Sequence, residues 1–496
     1  MTRESLRFAQ VYAAVEQNYV DQVDPDRAIF DGGIRGMLSS LDPFSTFLDR
    51  SQFELLQQQT RGEALGFGSV LYVQPGKVLV LQTAQGSPSW RAGLGPGDEI
   101  VEINGARINR LDFNALVELL QQARSHPVRL GVIRPGKLVP QDFELKPAQV
   151  ALPSVERAFL FSPGIGYIRI STFEQKTTQE VGDTLNRLGG QGLKGLLLDL
   201  RDNRGGMVDA AVGVASLFLK PDVPVLTMRG RAVPEKPYRT SSPPSHFDFP
   251  LVVLVNGKTA SAAEVVAAAL QEHDRALIVG EPSFGKGVVE AVFPLSEKTA
   301  LVLTTAQYLT PSGRSIQRPL PGTGLAGNGG ELQPGKSEPA NHRASTFHTD
   351  NGRPVLAGGG IAPDVTIPTR TLDPWVTFLR DTGAFTRFAS DYLTLHRKID
   401  KSFEPDAKVL GNFQDFLGRE RIRVPEEYWS QDQDYLKLKI KAEIFNLVFG
   451  LAVGDEVEVR GDPQVQKAAS LFPKIPSLLK GPPLKPGTVR VRRGAK

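Results

Sequence analysis

Two residues in this chain have the types and surroundings for covalent catalysis. Ser261 lies in Asn256-Gly257-Lys258-Thr259-Ala260-Ser261-Ala262-Ala263-Glu264, between an apolar run at 251–255 and an alanine-rich stretch at 265–270. A strand followed by a helix is predicted, with the serine at the helix head and its hydroxyl beside helical N–H groups. Lys286 lies in Ser283-Phe284-Gly285-Lys286-Gly287, after a second apolar run at 276–279. Between two glycines and walled by Phe284, Val288 and Val289, a lysine can be held in an apolar setting. Burial there disfavours the ammonium, and a neutral lysine can take a proton from serine. Together the two residues spell hydrolysis by a serine nucleophile and a lysine base. Taken alone, Ser261 is a good N-cap and Lys286 a solvated lysine on a glycine-rich turn.

Further segments come in a definite order around this pair. They are Gly166-Tyr167-Ile168-Arg169-Ile170, Leu198-Asp199-Leu200-Arg201-Asp202-Asn203-Arg204-Gly205-Gly206, Gly280-Glu281-Pro282-Ser283-Phe284-Gly285-Lys286-Gly287, Thr310-Pro311-Ser312-Gly313-Arg314-Ser315-Ile316 and Gly360-Ile361-Ala362-Pro363-Asp364. With the Ser261 segment, they resemble the carboxyl-terminal processing (tail-specific) serine proteases, peptidase family S41, over about residues 8–370. Any one motif is weak; the ordered set is specific. The resemblance implies Ser261 as nucleophile and Lys286 as general base, and then as the acid that protonates the leaving amine. It also implies an oxyanion hole from the backbone N–H of Ala262 and one from Gly205 or Gly206. A backbone without Cβ suits a close approach to substrate. The family often carries proline before this glycine pair, where Arg204 stands. Glu264, three residues after Ser261, fits a capping box or a hydrogen bond within the site, the structural role being the favoured one. Glu290 is the larger departure: the family commonly has glutamine there to orient the lysine. A carboxylate in that place favours the charged lysine and weakens it as a base, giving activity that is lower, shifted in pH or gated.

The elements that must position these groups divide the chain into four. Residues 1–61 read as an N-terminal helical segment: Phe8, Val11, Tyr12, Val15 and Tyr19 recur at helical spacing, as do Ile34, Met37 and Leu38. Leu41-Asp42-Pro43-Phe44-Ser45 breaks the second helix. Residues 62–147 resemble a PDZ domain, a small barrel-like sheet with helices, through Leu65-Gly66-Phe67-Gly68, Gly86-Ser87-Pro88-Ser89-Trp90-Arg91-Ala92-Gly93-Leu94 and Gly97-Asp98-Glu99-Ile100-Val101-Glu102-Ile103-Asn104-Gly105. The physical reading is capture of a peptide C-terminus at a sheet edge, with Leu65, Gly66, Phe67 and Gly68 as the carboxylate loop. Arg91 is a candidate link between an occupied groove and the protease core; as a bare residue it is a surface arginine. Residues 148–371 alternate apolar strands with helices, an α/β core for which the resemblance implies a βαβ spiral of the crotonase/ClpP type. Within them, 319–358 is rich in Gly, Pro, Ser and Asn and reads as an inserted surface loop. Residues 372–496 read as a helical C-terminal region, with Ile440, Ile444, Leu447 and Val448 at helical spacing, packing on the protease or on a second subunit. An unstructured tail is expected from Gly481.

The bulk properties exclude more than they assign. The chain has 496 residues, too many for one core. It has no cysteine, which removes disulfides, thiolate catalysis and cysteine-based metal sites. Net charge is +4, partly in the terminal Arg490, Arg492, Arg493 and Lys496, so no nucleic-acid partner is implied. Neither a metal nor a cofactor is implied. Protein or peptide substrates held by their C-terminus are the expected partners; homo-oligomerisation and peripheral membrane association stay open. The family works in the periplasm, cell envelope or thylakoid lumen, yet the N-terminus lacks a signal-peptide pattern, so a removed export signal and a cytoplasmic location stay open.

Residues 280–287 nearly spell a P-loop, but Gly287 stands where Ser or Thr would hold Mg²⁺ and the sequence beyond is β-branched rather than helical. Ser283-x-x-Lys286 mimics the penicillin-binding proteins, without their Ser-Asp-Asn and with Lys258-Thr259-Ala260 on the wrong side. A Ser/His/Asp arrangement would need His273, which falls at a polar helix end. The serious alternative is a PDZ-bearing adaptor or chaperone on a catalytically impaired protease scaffold.

Overall fold

A computed structural model describes residues 3–135, 137–242, 246–320, 346–396 and 398–480. The N-terminal unit holds α1 (Arg3–Asn18), a π-helical turn (Arg27–Ile34) running into α2 (Arg35–Ser39), β1 (Thr46–Leu48) and α3 (Arg50–Thr60). The spacing predicts α1 correctly, but Phe8, Val11, Val15 and Tyr19 are exposed along it. What the helical reading omits is β1. After the Leu41–Ser45 break this short strand pairs antiparallel with a strand of the α/β core, Thr46 opposite Val302. Asp42 makes the break: its Oδ1 accepts the N–H of Phe44 and of Ser45, both at 2.8 Å.

The next unit begins with β2 (Glu63–Gly66), β3 (Ser69–Gln74), β4 (Lys77–Thr83) and α4 (Pro88–Arg91). It continues through β5 (Glu99–Ile103), β6 (Ala106–Arg107), α5 (Phe113–Ala123), β7 (Val128–Ile133), β8 (Gln141–Leu145) and β9 (Ala148–Ala151). Its sheet runs β3-β4-β5-β7-β8, with β6 on β5, while β2 pairs with β9. Strand β3 is therefore an edge strand. Alternation along β4 sends Val78 and Val80 into the core of this unit and Leu79 to the opposite face.

The α/β core opens with β10 (Val155–Ser162), β11 (Ile165–Ile170), α6 (Thr177–Leu188), β12 (Gly195–Asp199), α7 (Val208–Ser216), β13 (Pro224–Arg229) and β14 (Lys236–Arg239). It continues with β15 (Leu251–Val255), α8 (Ala262–Glu272), β16 (Leu277–Gly280), β17 (Val288–Pro294), β18 (Ala300–Leu309), β19 (Thr346–His348), β20 (Pro354–Leu356) and β21 (Val365–Thr366). The main sheet runs β10-β11-β12-β15-β16-β21, parallel except for β10. Its inner strands are apolar throughout because both faces are covered; Leu251–Val255 is buried at every position. Helices α6, α7 and α8 cover one face, and every residue of α8 is buried. A second sheet, β1-β18-β13-β14 with β17 on β18, carries the strands beyond Lys286.

The expected surface loop at 319–358 needs correction where it can be seen. Residues 321–345 lie outside the described residues. From 346 the chain forms the β19–β20 hairpin, with Val355 and Arg353 buried. Arg353 donates to Asp274 at 2.7 Å and also bonds Asp364, so ion pairing tethers a stretch that has no apolar period.

The C-terminal region is helical as predicted: α9 (Pro374–Asp381), α10 (Ala384–Leu395), α11 (Ala407–Arg419), α12 (Glu426–Gln431), α13 (Gln433–Phe449), α14 (Leu451–Gly461), α15 (Pro463–Ala469) and α16 (Ile475–Leu478). Its partners are broader than expected. Ile440, Ile444 and Leu447 share a core with Leu79 of β4. Val459, Val465 and Ala468 pack on Leu197, Val252 and Leu277, on the sheet face away from α8. The tail from 481 lies outside the described residues.

Candidate active site

Ser261 is the first residue after the β15 turn and the N-cap of α8, with φ 54° and ψ −121°. Such a backbone costs an L-residue about 1–3 kcal/mol and needs support from its surroundings. The support is local. Thr259 Oγ1 donates to Leu200 O at 2.8 Å, and Ala260 N–H donates to Asn203 O at 2.9 Å. Glu264 Oε2 accepts the Ser261 N–H at 2.9 Å.

Glu264 does more than cap the helix. Its buried carboxylate also accepts the N–H of Gly285 at 2.7 Å, the N–H of Lys286 at 2.9 Å and the hydroxyl of Ser283. Burial pushes Glu264 up to about 7, against the pull of these four donors. One carboxylate thus ties the turn carrying Ser261 to the turn carrying Lys286. Tyr308 of β18 makes a second tie: its hydroxyl lies 2.8 Å from Lys286 O and 3.2 Å from Ser261 O.

The Lys286 ammonium points to Glu290, with Nζ 2.9 Å from Oε1, and sits 4.4 Å from the centre of the Phe44 ring. Positions four apart on an extended strand stand about 13 Å apart. Lys286 reaches Glu290 because it precedes β17 and because β17 has an irregularity between Val289 and Glu290. Among the described residues no hydrogen bond joins Ser261 Oγ to Lys286 Nζ. The expected dyad partners are neighbours through Glu264 and Tyr308, with the lysine head turned to Glu290.

Gly205 and Gly206, the two glycines expected at the oxyanion hole, differ in their bonds. The Gly205 N–H donates to Asn203 Oδ1 at 2.8 Å. The N–H groups of Gly206 and Ala262 have no acceptor among the described residues. Gly206 has φ 138°, and a Cβ there would meet Phe173 O at 2.1 Å, so only glycine fits. A Cβ on Gly205 would meet Ser261 Cβ at 2.8 Å, which shows how closely this loop lies on the serine turn. Arg204 is exposed; Asn203, bonded to Gly205 N–H and to Ile170 O, holds the loop where a proline is absent.

The rival readings lose their geometry. Residues 281–287 form no helix and run into β17, which suits neither a P-loop nor Ser-x-x-Lys. Ser283 is buried and bonded to Glu264 and Ile361 N–H. His273 caps the far end of α8, about 18 Å from Ser261 at 1.5 Å per residue, and bonds Asp350 and Pro224 O.

In the PDZ unit, β3 and α5 border a cavity of about 390 Å³ that Leu65, Gly66, Phe67, Gly68, Leu71 and Leu120 help line. Gly68 has φ 74°, and a Cβ on it would meet Ser87 Cβ at 2.3 Å. Gly66 is instead paired strand, opposite Ala148, so the turn of the loop belongs to Gly68 alone. Arg91 is exposed at the end of α4 and makes no hydrogen bond or ion pair to the protease core among the described residues. Sequence reasoning missed Asn203, Tyr308 and the place of Phe44. Only Asn203 had a signal, an Asn two residues before a glycine where an Asx turn is common.

The family model for peptidase family S41 matches residues 164–325, that for a PDZ domain residues 79–134, and that for the activating protease CtpB N-terminal domain residues 2–52. The chain is 34% identical over 320 residues to a carboxy-terminal-processing protease of Bartonella bacilliformis, covering 64% of this chain and 73% of that one. It is 35% identical over 310 residues to a carboxyl-terminal-processing protease of Synechocystis, covering 61% and 72%. It is 32% identical over 354 residues to the chloroplastic C-terminal processing peptidase of Tetradesmus obliquus, covering 64% and 76%. The chain belongs to peptidase family S41 and is a carboxyl-terminal processing serine protease with a PDZ domain.

Proposed function

We propose that this protease cleaves protein substrates gripped by their C-terminus in the PDZ groove, through an acyl-enzyme on Ser261. The free carboxylate meets the Phe67–Gly68 turn, and the peptide adds to the edge of β3. Lys286 Nζ swings from Glu290 to Ser261 Oγ and takes its proton as Oγ attacks the scissile carbonyl. The oxyanion is received by the N–H groups of Ala262 and Gly206, each donor contributing about 2.7–4 kcal/mol. The lysine ammonium then protonates the leaving amine as the C–N bond breaks, leaving an ester on Ser261. Water, deprotonated by Lys286, attacks that ester, and the proton returns to Oγ. The observation that carries this reading is the strained Ser261 at the head of a buried helix, sharing the Glu264 carboxylate with Lys286.

A second reading, an adaptor on an impaired scaffold, is favoured by one observation, the Lys286–Glu290 ion pair. Degradation of an unfolded protein with an apolar C-terminus separates the two. The intact chain is expected to cut, and Ser261→Ala and Lys286→Ala to lose at least a thousandfold in rate, as losses from activated nucleophiles go. Glu290→Gln, which frees Lys286 from its ion pair, is expected to cut faster than the intact chain. An intact chain and a Glu290→Gln variant that both bind the peptide without cutting it would establish the adaptor.

A further inference from the structure

The N-terminal unit reaches into the candidate active site through one side chain. The Phe44 ring lies 4.4 Å from Lys286 Nζ, within cation–π range, and Glu290 Oε1 lies 2.9 Å from the same nitrogen. Phe44 is half-buried and held in a fixed frame. Asp42 Oδ1 accepts its N–H at 2.8 Å and that of Ser45 at 2.8 Å, and Asp42 Oδ2 accepts the Ser45 hydroxyl at 2.9 Å. Ser45 Oγ in turn accepts the N–H of Thr304 at 3.1 Å, in the strand that carries Tyr308. The next residues pair with that strand along Thr46–Leu48, and Phe47 stacks on Phe30 at 4.8 Å. A turn with this many constraints sets a ring in one place, and that place is the head of the candidate base.

We infer that Phe44 is a positioning residue for Lys286, its ring and Glu290 together forming the seat in which the lysine head rests between encounters with Ser261. This rests on Lys286 being the base. The groups that face Lys286 are Glu290 on its own segment, Glu264 of α8 through the Lys286 N–H, Tyr308 of β18 through the Lys286 carbonyl, and Phe44 from the N-terminal unit. The ring is the one uncharged member of the set that touches the ammonium. It favours the cation and confines where Nζ can go. Without its π face the lysine head is less confined and finds Ser261 Oγ less often.

The test compares the full chain with Phe44→Leu, Phe44→Met and Phe44→Tyr, and with Lys286→Ala as control. Cleavage of a peptide with an apolar C-terminus is measured across pH, and acetylation of Lys286 by acetic anhydride is followed by mass spectrometry across the same range. Leu and Met should lower kcat by roughly tenfold to a hundredfold, as a misplaced catalytic group does, with KM unchanged. They should also speed acetylation of Lys286 at a given pH, because its head is no longer held against the ring. Tyr, which keeps the ring, should behave as the unsubstituted chain. A rise in KM with kcat intact would make Phe44 a substrate contact, and a loss of kcat with the rate of Lys286 acetylation unmoved would make it a packing residue; either overturns the inference. Full activity in Lys286→Ala would remove the dyad itself. The labelling rate needs no turnover, so an inert chain still decides the case for Phe44.

Discussion

A carboxyl group with no exposed surface and four hydrogen-bond donors is an expensive thing to keep at a helix head, and Glu264 is such a group. Burial raises it to about 7 in the folded chain from the 4.5 of an ordinary glutamate. The raised value fixes the sign of its effect on stability. Between about pH 4.5 and 7 the folded state holds a proton at Glu264 that the unfolded state has lost, so stability falls as pH rises through this window. The span corresponds to about 3 kcal/mol. Glu264→Gln should abolish that slope. It should also lower the melting temperature at every pH, because the amide nitrogen cannot accept from the N–H groups of Ser261 and Lys286. Melting curves from pH 4.5 to 8 check this; an unchanged slope in the variant would assign the pH dependence to another group. From the sequence Glu264 reads first as a capping box and second as a hydrogen-bonding group within the site, because spacing shows the near partner, Ser261, and hides Ser283, Gly285 and Lys286, some twenty residues on.

At the scale of elements, the PDZ groove is built from two pieces whose roles the sequence showed in outline. Strand β3 is an edge because β4 is its sole partner in the sheet, and α5 closes the far wall with Leu120 half-buried toward the cavity. Leu120→Glu would place a carboxylate where an apolar C-terminal side chain should seat, beside the peptide's own charge. Binding of a peptide ending in an apolar residue should weaken at least tenfold, about 1.4 kcal/mol. Labelling of Ser261 by a small phosphonofluoridate should stay unchanged, since the substitution lies in a different unit. Unaltered cleavage of a long substrate would mean the groove is not where substrates are captured. Strands and helices of this kind were legible because local periodicity encodes them: 251–255 is apolar at every position, and the α5 stretch opens with Asp112 accepting Ala115 N–H. Strand β1 was not legible. It is three residues long, follows Pro43, and exists because β18 offers an edge some 250 residues away, a fact no local window contains. The 346–356 hairpin escaped for a similar reason, since Arg353 ties it through Asp274 and Asp364 rather than through an apolar pattern.

For the molecule as a whole, the C-terminal helices bridge the PDZ unit and the protease core. Arg201, at the end of β12, donates to Asp199 on its own sheet and to Asp462 and Gln464 at the head of α15, at 2.6 and 2.8 Å. Burial alone would push Asp199 up, but the Arg201 guanidinium holds it below the usual carboxylate range. On the other side Lys77 Nζ donates to Ser390 Oγ at 2.6 Å, and Leu79 enters the helical core beside Phe385 and Phe445. Strand β4 is thus buried on both faces, Val78 and Val80 serving one unit and Leu79 the other. That alternation permits a substitution that separates docking from peptide binding. Leu79→Ala removes buried methyl groups from the interface alone, which should cost about 2–5 kcal/mol. The loss should appear as faster hydrogen exchange in β4 and in α10 and α13, with the affinity of the isolated interaction between groove and peptide unchanged because Val78 and Val80 still fill the PDZ core. If exchange rises across the PDZ unit and not in α10 and α13, the C-terminal helices hold themselves together without the strand. In that case the C-terminal helices would no longer count as a bridge between the PDZ unit and the protease core.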